Sequence, residues 1–150
     1  MLPEDILYKI QTADFNSVFA HLVKCDADFV PRLSTNTDIT AYSKKIVENS
    51  ITFEAWIKDE LAGLIAAYFN DEKKHLGFIT NVSTAKEYSG KGVASQLMQM
   101  CISYAEEQKF GTIILEVFKH NNGAIKLYGK YGFYQTEIKG DSIIMQKNLK

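Results

Sequence analysis

A chain of 150 residues has the usual size of one domain and is long enough to bury a core of its own. Hydrophobic residues make up 46% and charged residues 23%, values that argue against a disordered chain and against a membrane protein. The net charge of −1 argues against a nucleic-acid-binding protein that uses a broad basic face. The acidic start, MLPEDILYKI, lacks the basic segment of a signal peptide, so we expect a cytoplasmic protein.

The two cysteines have no metal-ligand spacing relative to the three histidines, so we expect no metal site. Cys101 lies in an apolar helical pattern, which indicates a buried thiol. Cys25 lies in the sequence KCDAD, and a catalytic role for its thiol stays open.

The first half of the chain predicts a strand, two helices and a hairpin, without internal repeats or flexible linkers. The elements in chain order are a strand over 5–10, a helix that Thr12 caps, a loop over 27–36, a helix that Thr37 or Asp38 caps, and hairpin strands over 51–57 and 61–69.

The second half predicts a strand–helix–strand unit and two further elements. In order, these are a strand over 76–84, a glycine-rich loop, a helix over 92–108, a strand over 112–118 that is covered on both faces, a short helix from 124 that Gly132 ends, and a strand over 142–149. Strand–helix–strand units have parallel strands, whereas the hairpin is antiparallel. The order β-α-α-β-β-β-α-β-α-β therefore predicts one α/β domain over 1–150, with a mixed central sheet and helices on both faces.

The loop SGKGVAS, from Ser89 to Ser95, has three interpretations. In the first, its glycines only relieve a tight turn. In the second, Gly90 and Gly92 leave N–H groups uncovered at a helix N-terminus, where they bind a phosphate, and Lys91 adds positive charge.

The third interpretation is a nucleotide fingerprint, and two versions of it fail. The ATP-type loop needs Ser or Thr directly after the lysine, but Gly92 follows Lys91. The dinucleotide fingerprint meets Ser95 at its third glycine. Glu116 has the spacing of a ribose-binding carboxylate, but too few residues follow it to complete a doubly wound sheet.

Two segments resemble the GNAT family of N-acetyltransferases. That family's pyrophosphate loop reads Gln/Arg-x-x-Gly-x-Gly/Ala between a strand and a helix, and Gly92 and Ala94 match it here. Ser89 replaces the family's Gln or Arg, and its shorter side chain would weaken one phosphate contact while the backbone donors remain. Downstream, LEVFKHNNGAIKLYGKYGF resembles the family's second signature. The resemblance covers 51 to about 149, and the N-terminal third only by the order of its elements.

The resemblance implies that the chain binds acetyl-CoA as a co-substrate and needs no metal. The pantetheine arm would pair with the backbone of the 76–84 strand, and the loop amides would hold the pyrophosphate. Asn121 would bind the arm, or equally would cap the next helix. The implied cofactor-binding residues are Val82, Ser83, Thr84, Ser89, Gly90, Lys91, Gly92, Val93, Ala94, Ser95 and Asn121.

The resemblance also implies catalytic roles. The N–H of Val82 would face the thioester oxygen, and Tyr128 would protonate the CoA thiolate, although a structural tyrosine is the alternative. Many relatives place a glutamate on the strand before the loop, and residues 77–83 contain none. Glu54, Glu116 and His75 stay open as the general base, as does a water held by Asn81 or Ser83.

The acceptor should contact the 27–36 loop and the hairpin. The candidate residues are Phe29, Arg32, Glu54, Trp56 and Asn81. Arg32 suggests an anionic group on the acceptor. We therefore expect an N-acetyltransferase that acts on a primary amine of a small molecule, such as an amino sugar or amino acid. The alternative is a non-catalytic acyl-CoA sensor or regulatory module. Pairing of the last strand across a homodimer is compatible with the sequence.

Overall fold

The computed structural model describes residues 5–150, whose strands form one mixed sheet. The strands are β1 (Leu7–Ile10), β2 (Ile51–Ile57), β3 (Glu60–Tyr68), β4 (Leu76–Thr84), β5 (Thr112–Phe118), β6 (Tyr134–Lys139) and β7 (Ser142–Asn148). Their spatial order is β1-β2-β3-β4-β5-β7-β6. The β4–β5 pair is parallel and the other neighbouring pairs are antiparallel, so the predicted mixed sheet is confirmed.

The helices cover both faces of this sheet. They are α1 (Phe15–Cys25), α2 (Ile39–Asn49), α3 (Val93–Glu107) and α4 (Asn122–Lys130), and short 3₁₀ turns lie at Asp26–Asp28, Leu33–Thr35 and Lys86–Tyr88. Side chains of α1 and α2 form one core, and those of α3 and α4 form the other. No helix within residues 5–150 combines the length and apolarity that crossing a membrane requires.

The alternation of side chains along the central hairpin supplies both cores. Phe53 and Ala55 face α3, whereas Trp56 and Leu64 face α1 and α2. Gly63 permits close packing of α3, because a Cβ there would lie 2.6 Å from Val93 Cγ1. The helix that carries the glycine loop is therefore fixed directly against the sheet.

The strand β6 was not predicted from the sequence. All of its residues are exposed, so the alternation of Tyr134, Thr136 and Ile138 with polar residues in YQTEIK does not mark a buried face. Because β7 lies between β5 and β6, the last strand has no free edge. The expected pairing of this strand across a dimer is therefore wrong, since β6 covers its outer edge.

Two other sequence predictions need correction. Asp14 caps α1 in place of Thr12, because its side chain accepts a hydrogen bond from Ser17 N at 2.8 Å. The strand β5 is not covered on both faces, since Ile113, Leu115 and Val117 are buried while the residues between them are half-buried or exposed.

Candidate active site

The strand β4 contains a one-residue bulge, and beyond it β4 no longer pairs with β5. The strands pair in parallel only from Leu76 to Ile79. On the other side of β4, Ala66 pairs with Asn81 while Ala67 pairs with Ile79, so Thr80 is the extra residue. Bulges bend a strand and increase its twist. The C-terminal half of β4 therefore diverges from β5 and leaves a gap in the sheet.

This gap is the central cleft, which has a volume of about 530 Å³. It lies between the diverging strand ends, the start of α4 and the 3₁₀ turns that follow α1. Its lining residues are Cys25, Asp28, Phe29, Val30, Leu33, Thr80, Asn81, Val82, Ser83, Thr84, Ser89, Glu116, Val117, Phe118, Asn121, Ala124 and Tyr128.

The bulge also decides which side chains face the cleft. Before it, Ile79 packs into the core beneath α3. After it, Val82 packs on that side, and Ser83 points toward α1, where its Oγ lies 2.8 Å from His21 Nε2. The polar side chains of Asn81 and Ser83 therefore line the cleft, although both residues are buried.

The glycine loop leaves the N-terminus of α3 open. Gly90 has φ of 76° and Gly92 has φ of 79°, a left-handed conformation that strains residues with a Cβ. Side chains of Asp14, Asp38 and Asn121 cap the other helices, whereas Gly92 provides no side-chain cap to α3. Within residues 5–150, no atom accepts a hydrogen bond from the N–H groups of residues 93–95. These N–H groups are therefore free to bind an anion.

A second space, the loop cavity, surrounds these N–H groups and measures about 500 Å³. Its lining residues are Thr84, Tyr88, Ser89, Gly90, Gly92, Val93, Ala94, Ser95 and Gly123. Thr84 and Ser89 line both the loop cavity and the central cleft, so the two spaces adjoin. Lys91 does not line either space, and its Nζ lies 5.7 Å from the centroid of the Tyr88 ring.

Tyr128 lies on α4 and lines the central cleft. Its side chain packs edge-on against Phe133, and its hydroxyl has no hydrogen-bond partner within residues 5–150. Burial raises the pKa of the Tyr128 phenol to about 12. The phenol therefore holds its proton at neutral pH and is available as a donor at the cleft.

Asn121 caps α4 and also lies at the central cleft. Its Oδ1 accepts a hydrogen bond from Ala124 N at 3.2 Å and so caps α4. The same residue lines the central cleft. The cap fixes the start of the helix that carries Tyr128.

The residues expected to bind the acceptor divide into two groups. Phe29 and Asn81 line the central cleft. Arg32, Glu54 and Trp56 do not. The Arg32 side chain is largely exposed, and its Nε lies 3.9 Å from Asp26, so the suggestion of an anionic acceptor loses its basis.

Glu54 is a structural carboxylate rather than a base at the cleft. It is fully buried and accepts hydrogen bonds from Thr12 N at 2.9 Å, Ala13 N at 3.1 Å and Trp56 Nε1 at 2.9 Å. Burial by itself raises the pKa of Glu54. The hydrogen bonds from Thr12, Thr52 and Trp56 together outweigh that effect, so the pKa is lowered from its ordinary value. Glu54 thus ties the segment before α1 to the hairpin.

The other open candidates for the base differ in position. His75 precedes β4 and does not line the cleft, whereas Glu116 lines it and lies 3.5 Å from Lys139 Nζ. Cys25 also lines the cleft, but burial raises the pKa of its thiol to about 11, which keeps it protonated at neutral pH. A thiolate nucleophile at Cys25 is therefore disfavoured.

Sequence reasoning missed several residues that shape this site. Asp28 and His21 were not proposed, although a histidine among the buried residues of α1 was a usable signal. Tyr42 was not proposed either, yet its hydroxyl contacts the bulge at Thr80. The bulge itself has no local sequence signature in β4.

Sequence comparisons match this chain to known acetyltransferases. A family model described as the acetyltransferase (GNAT) family matches residues 8–133. The N-alpha-acetyltransferase MAK3 of Arabidopsis thaliana is 31% identical over 88 residues, which are 58% of this chain and 46% of the relative. The spermine/spermidine N(1)-acetyltransferase of Bacillus subtilis is 27% identical over 89 residues, 57% of this chain and 59% of the relative. The chain thus spans about half the length of these relatives.

Structure comparison agrees on the fold. The PaiA N-acetyltransferase of Thermoplasma acidophilum, solved in complex with coenzyme A, superposes with a TM-score of 0.73 at 13% identity and covers 95% of this chain and 99% of that chain. At this identity the likeness shows the fold alone. The family model, in contrast, covers most of the chain and both of its signature segments. The chain therefore belongs to the GNAT family of acetyltransferases.

Proposed function

We propose that this chain is an N-acetyltransferase that transfers the acetyl group of acetyl-CoA to a primary amine of a small, positively charged acceptor. The observation that carries the proposal is the adjoining pair of spaces at the bulge. The loop cavity presents unbonded N–H groups, and the central cleft contains the protonated Tyr128 phenol. One long ligand with an anionic end and a reactive thioester end fits this arrangement.

The loop cavity is the proposed site of the pyrophosphate. The N–H groups at 93–95 point from the start of α3, where the helix dipole also favours an anion. At Gly90 and Gly92, no atom of the described part of the chain lies within 4 Å of where a Cβ would stand, so the space that an anion needs is open. Lys91 lies beside Tyr88 and does not line this cavity, so we assign the contact to the backbone.

The central cleft is the proposed site of acyl transfer. The β4 backbone at Val82 and Thr84 lines it beyond the last residue that pairs with β5, which leaves it accessible to the pantetheine arm. Attack of an amine on the thioester carbon forms a C–N bond and places negative charge on the carbonyl oxygen. The C–S bond then breaks with its electrons on sulfur, and the Tyr128 phenol supplies the proton that the thiolate takes up.

The charges at the cleft favour a cationic acceptor. Asp28 and Glu116 are the charged residues among its lining side chains, and Lys, Arg and His are absent from that lining within residues 5–150. Carboxylates raise the local concentration of cations. A relative of this chain is named as a spermine/spermidine acetyltransferase, and such amines carry several positive charges.

A panel of amines tests the proposal. The purified chain is incubated with acetyl-CoA and, separately, with spermidine, glucosamine, lysine and a peptide with a free N-terminus, and mass spectrometry detects the acetylated products. The proposal predicts that spermidine is acetylated faster than glucosamine and the peptide. Binding of acetyl-CoA without acetylation of any amine would favour the non-catalytic sensor instead.

A further inference from the structure

A line of hydrogen bonds runs from the wall of the central cleft into the interior beneath α1. Asn81 Oδ1 lies 2.8 Å from Ser83 Oγ, and Ser83 Oγ lies 2.8 Å from His21 Nε2. On the far side of the ring, His21 Nδ1 lies 3.3 Å from the carbonyl oxygen of Leu61. The exposed fractions are 5% for Asn81, 8% for Ser83 and 2% for His21, so bulk water does not interrupt the line.

The proton positions follow from what each group can donate. The Leu61 carbonyl only accepts, and a neutral imidazole has one N–H. Burial lowers the pKa of His21 to about 4, so the ring is neutral at neutral pH. Hydrogen bonding to Leu61 puts the N–H on Nδ1, and Nε2 then accepts the hydroxyl proton of Ser83. In the observed orientation of the amide, Asn81 Oδ1 is a second acceptor for the same hydroxyl, and the Ser83 O–H turns between Asn81 Oδ1 and His21 Nε2.

His21 also borders a second opening, the α1 groove, which has a volume of about 300 Å³. Its lining residues are Asn16, Ser17, Ala20, His21, Lys24, Asp59, Glu60 and Leu61. Ser83 and Asn81 line the central cleft, whereas His21 lines the groove. The hydrogen-bonded line thus joins two separate openings of the molecule.

We propose that Ser83 and His21 form a relay that removes the proton released by the acceptor amine and delivers it to the α1 groove, and that Asn81 positions the Ser83 hydroxyl. The inference rests on the proposed acyl transfer, because only that reaction releases such a proton. Ser83 meets the substrate in the cleft. His21 acts through Ser83 and is therefore a positioning residue, which orients the Ser83 hydroxyl and holds the proton after it has moved.

The steps balance in atoms and charge. When the amine nitrogen bonds to the thioester carbon, the nitrogen becomes positively charged and gives its proton to Ser83 Oγ. The Ser83 proton moves to His21 Nε2 at the same time, so Ser83 stays neutral and His21 becomes an imidazolium. Water in the α1 groove then takes the Nδ1 proton of the imidazolium, which leaves the neutral ring protonated on Nε2. Proton exchange with water returns the N–H to Nδ1 before the next turnover. Separately, the Tyr128 phenolate left after protonation of the thiolate regains a proton from solvent.

The surroundings of His21 assist the return of its proton to water. Lys24 and Cys25 lie near the ring on its own helix, and Asp59 and Glu60 face it across the groove from the β2–β3 turn. From β4, the uncharged Ser83 forms a hydrogen bond with the ring. Burial and the positive charge of Lys24 both lower the pKa of His21, so an imidazolium formed during turnover is short-lived.

Two variants test the relay. His21→Gln keeps a hydrogen-bonding side chain that cannot hold a proton at neutral pH, and Ser83→Ala removes the hydroxyl and leaves His21 in place. We expect each to lower kcat by about 100-fold, the usual size of a proton-transfer contribution. The dissociation constant of acetyl-CoA, measured by calorimetry, should change much less than kcat, because the relay residues do not line the loop cavity that holds the pyrophosphate. Ser43→Ala is the control, since Ser43 is also buried but its hydroxyl has no hydrogen-bond partner among residues 5–150.

The pH profile separates a relay from a merely structural contact. In the wild type, kcat should level off well below the pH at which hydroxide becomes the main proton acceptor. In His21→Gln, kcat should keep rising with pH, because hydroxide must replace the lost acceptor. Added imidazole should restore part of the activity of His21→Ala through the open α1 groove.

Several results would overturn the relay. If the wild type acetylates an amine while Ser83→Ala keeps its kcat and pH profile, the relay is wrong and the proposed function stands. If His21→Gln does not fold, the kcat and pH profile of Ser83→Ala alone test the relay. If the wild type acetylates no amine, the proposed function and the relay fail together.

Discussion

The Tyr42 hydroxyl donates a hydrogen bond to the Thr80 carbonyl at 2.7 Å and lies 2.8 Å from Thr80 Oγ1. Thr80 is the extra residue of the bulge, and Tyr42 lies on α2, far away along the chain. A bulged residue loses its ladder partner, so its carbonyl needs another donor. Through Tyr42, helix α2 thus stabilises the gap in the sheet that the proposed reaction uses.

We therefore expect Tyr42→Phe to alter the cleft as well as the stability of the protein. Loss of the hydrogen bond should lower the free energy of unfolding by about 1 kcal/mol, because the Thr80 carbonyl is left without a donor. Urea unfolding checks this value, and the KM for acetyl-CoA should rise because the bulge is less well fixed. Tyr104→Phe on α3 should leave the KM unchanged. An unchanged KM in Tyr42→Phe would mean that the strand holds its shape without Tyr42.

Tyr128→Phe separates binding from chemistry. The substitution removes the phenolic proton and keeps the ring that packs against Phe133. We expect kcat to fall by about 100-fold or more, while calorimetry shows an unchanged affinity for acetyl-CoA. Tyr131→Phe at the end of α4 is the matched control and should retain kcat, since Tyr131 does not line the cleft. Equal activity in both variants would exclude Tyr128 as the acid.

Gly92→Ala tests the loop cavity. Its φ of 79° costs a residue with a Cβ roughly 1 kcal/mol of stability, and the added methyl group enters the space assigned to the pyrophosphate. Gly140→Ala is the control, because Gly140 has φ of 62° and no atom of residues 5–150 lies within 4 Å of its Cβ position, but it lies in the β6–β7 turn. We expect similar losses of stability in thermal melts and loss of acetyl-CoA affinity only in Gly92→Ala. Equal acetyl-CoA affinities in the two variants would show that the pyrophosphate binds outside the loop cavity.

Glu54→Gln should destabilise the protein without changing its chemistry. Glutamine cannot accept all the hydrogen bonds that Thr12, Ala13 and Trp56 donate, so we expect a loss of about 2 kcal/mol in the free energy of unfolding at neutral pH. Glu48→Gln on the exposed side of α2 should change stability by less than about 0.5 kcal/mol.

The pH dependence of Glu54→Gln has a definite sign. The folded-state pKa of Glu54 is lowered, so its stabilisation is present above the ordinary value of 4.5 and is lost as the pH falls through the folded pKa. The stability difference between wild type and Glu54→Gln should therefore shrink in acid. A difference that grows below pH 4.5 would contradict the lowered pKa.

Asp28→Asn tests the choice of a cationic acceptor. Asp28 is an exposed carboxylate at the cleft, so its removal should raise the KM for a polyamine by roughly two- to fivefold at low salt. The effect should decrease at high salt because exposed charges are screened. Glu72→Gln, in the loop before β4, should leave the KM unchanged. If the KM of Asp28→Asn for the polyamine equals that of the wild type at low salt, the acceptor binds without this charge.

Local patterns in the sequence predicted most of the fold. The bounds of β2, β4 and β5 agree with the structure because apolar and β-branched runs end at polar turns. The β6 strand was missed because its stability comes from pairing with β7 rather than from burial. Glu54 was misjudged because its partners before α1 are distant in sequence and appear only after folding.

The candidate site was predictable where its chemistry is local. The loop glycines, Asn121 and Tyr128 belong to continuous segments, and the structure places them around adjoining spaces. The roles of Tyr42 and His21 depend on a bulge at Thr80 and on contacts between α1 and β4. Such long-range contacts have no counterpart in the periodicity of one sequence.

Calorimetric titration of the wild-type chain with acetyl-CoA, NADH and ATP tests the central claim most directly. We predict saturable binding of acetyl-CoA at one site per chain, with weaker binding of NADH and ATP. In thermal melts, acetyl-CoA at 100 times its dissociation constant should add about 2.7 kcal/mol to stability. Absence of acetyl-CoA binding would contradict the account, because the loop cavity and the central cleft would then not hold the acyl donor.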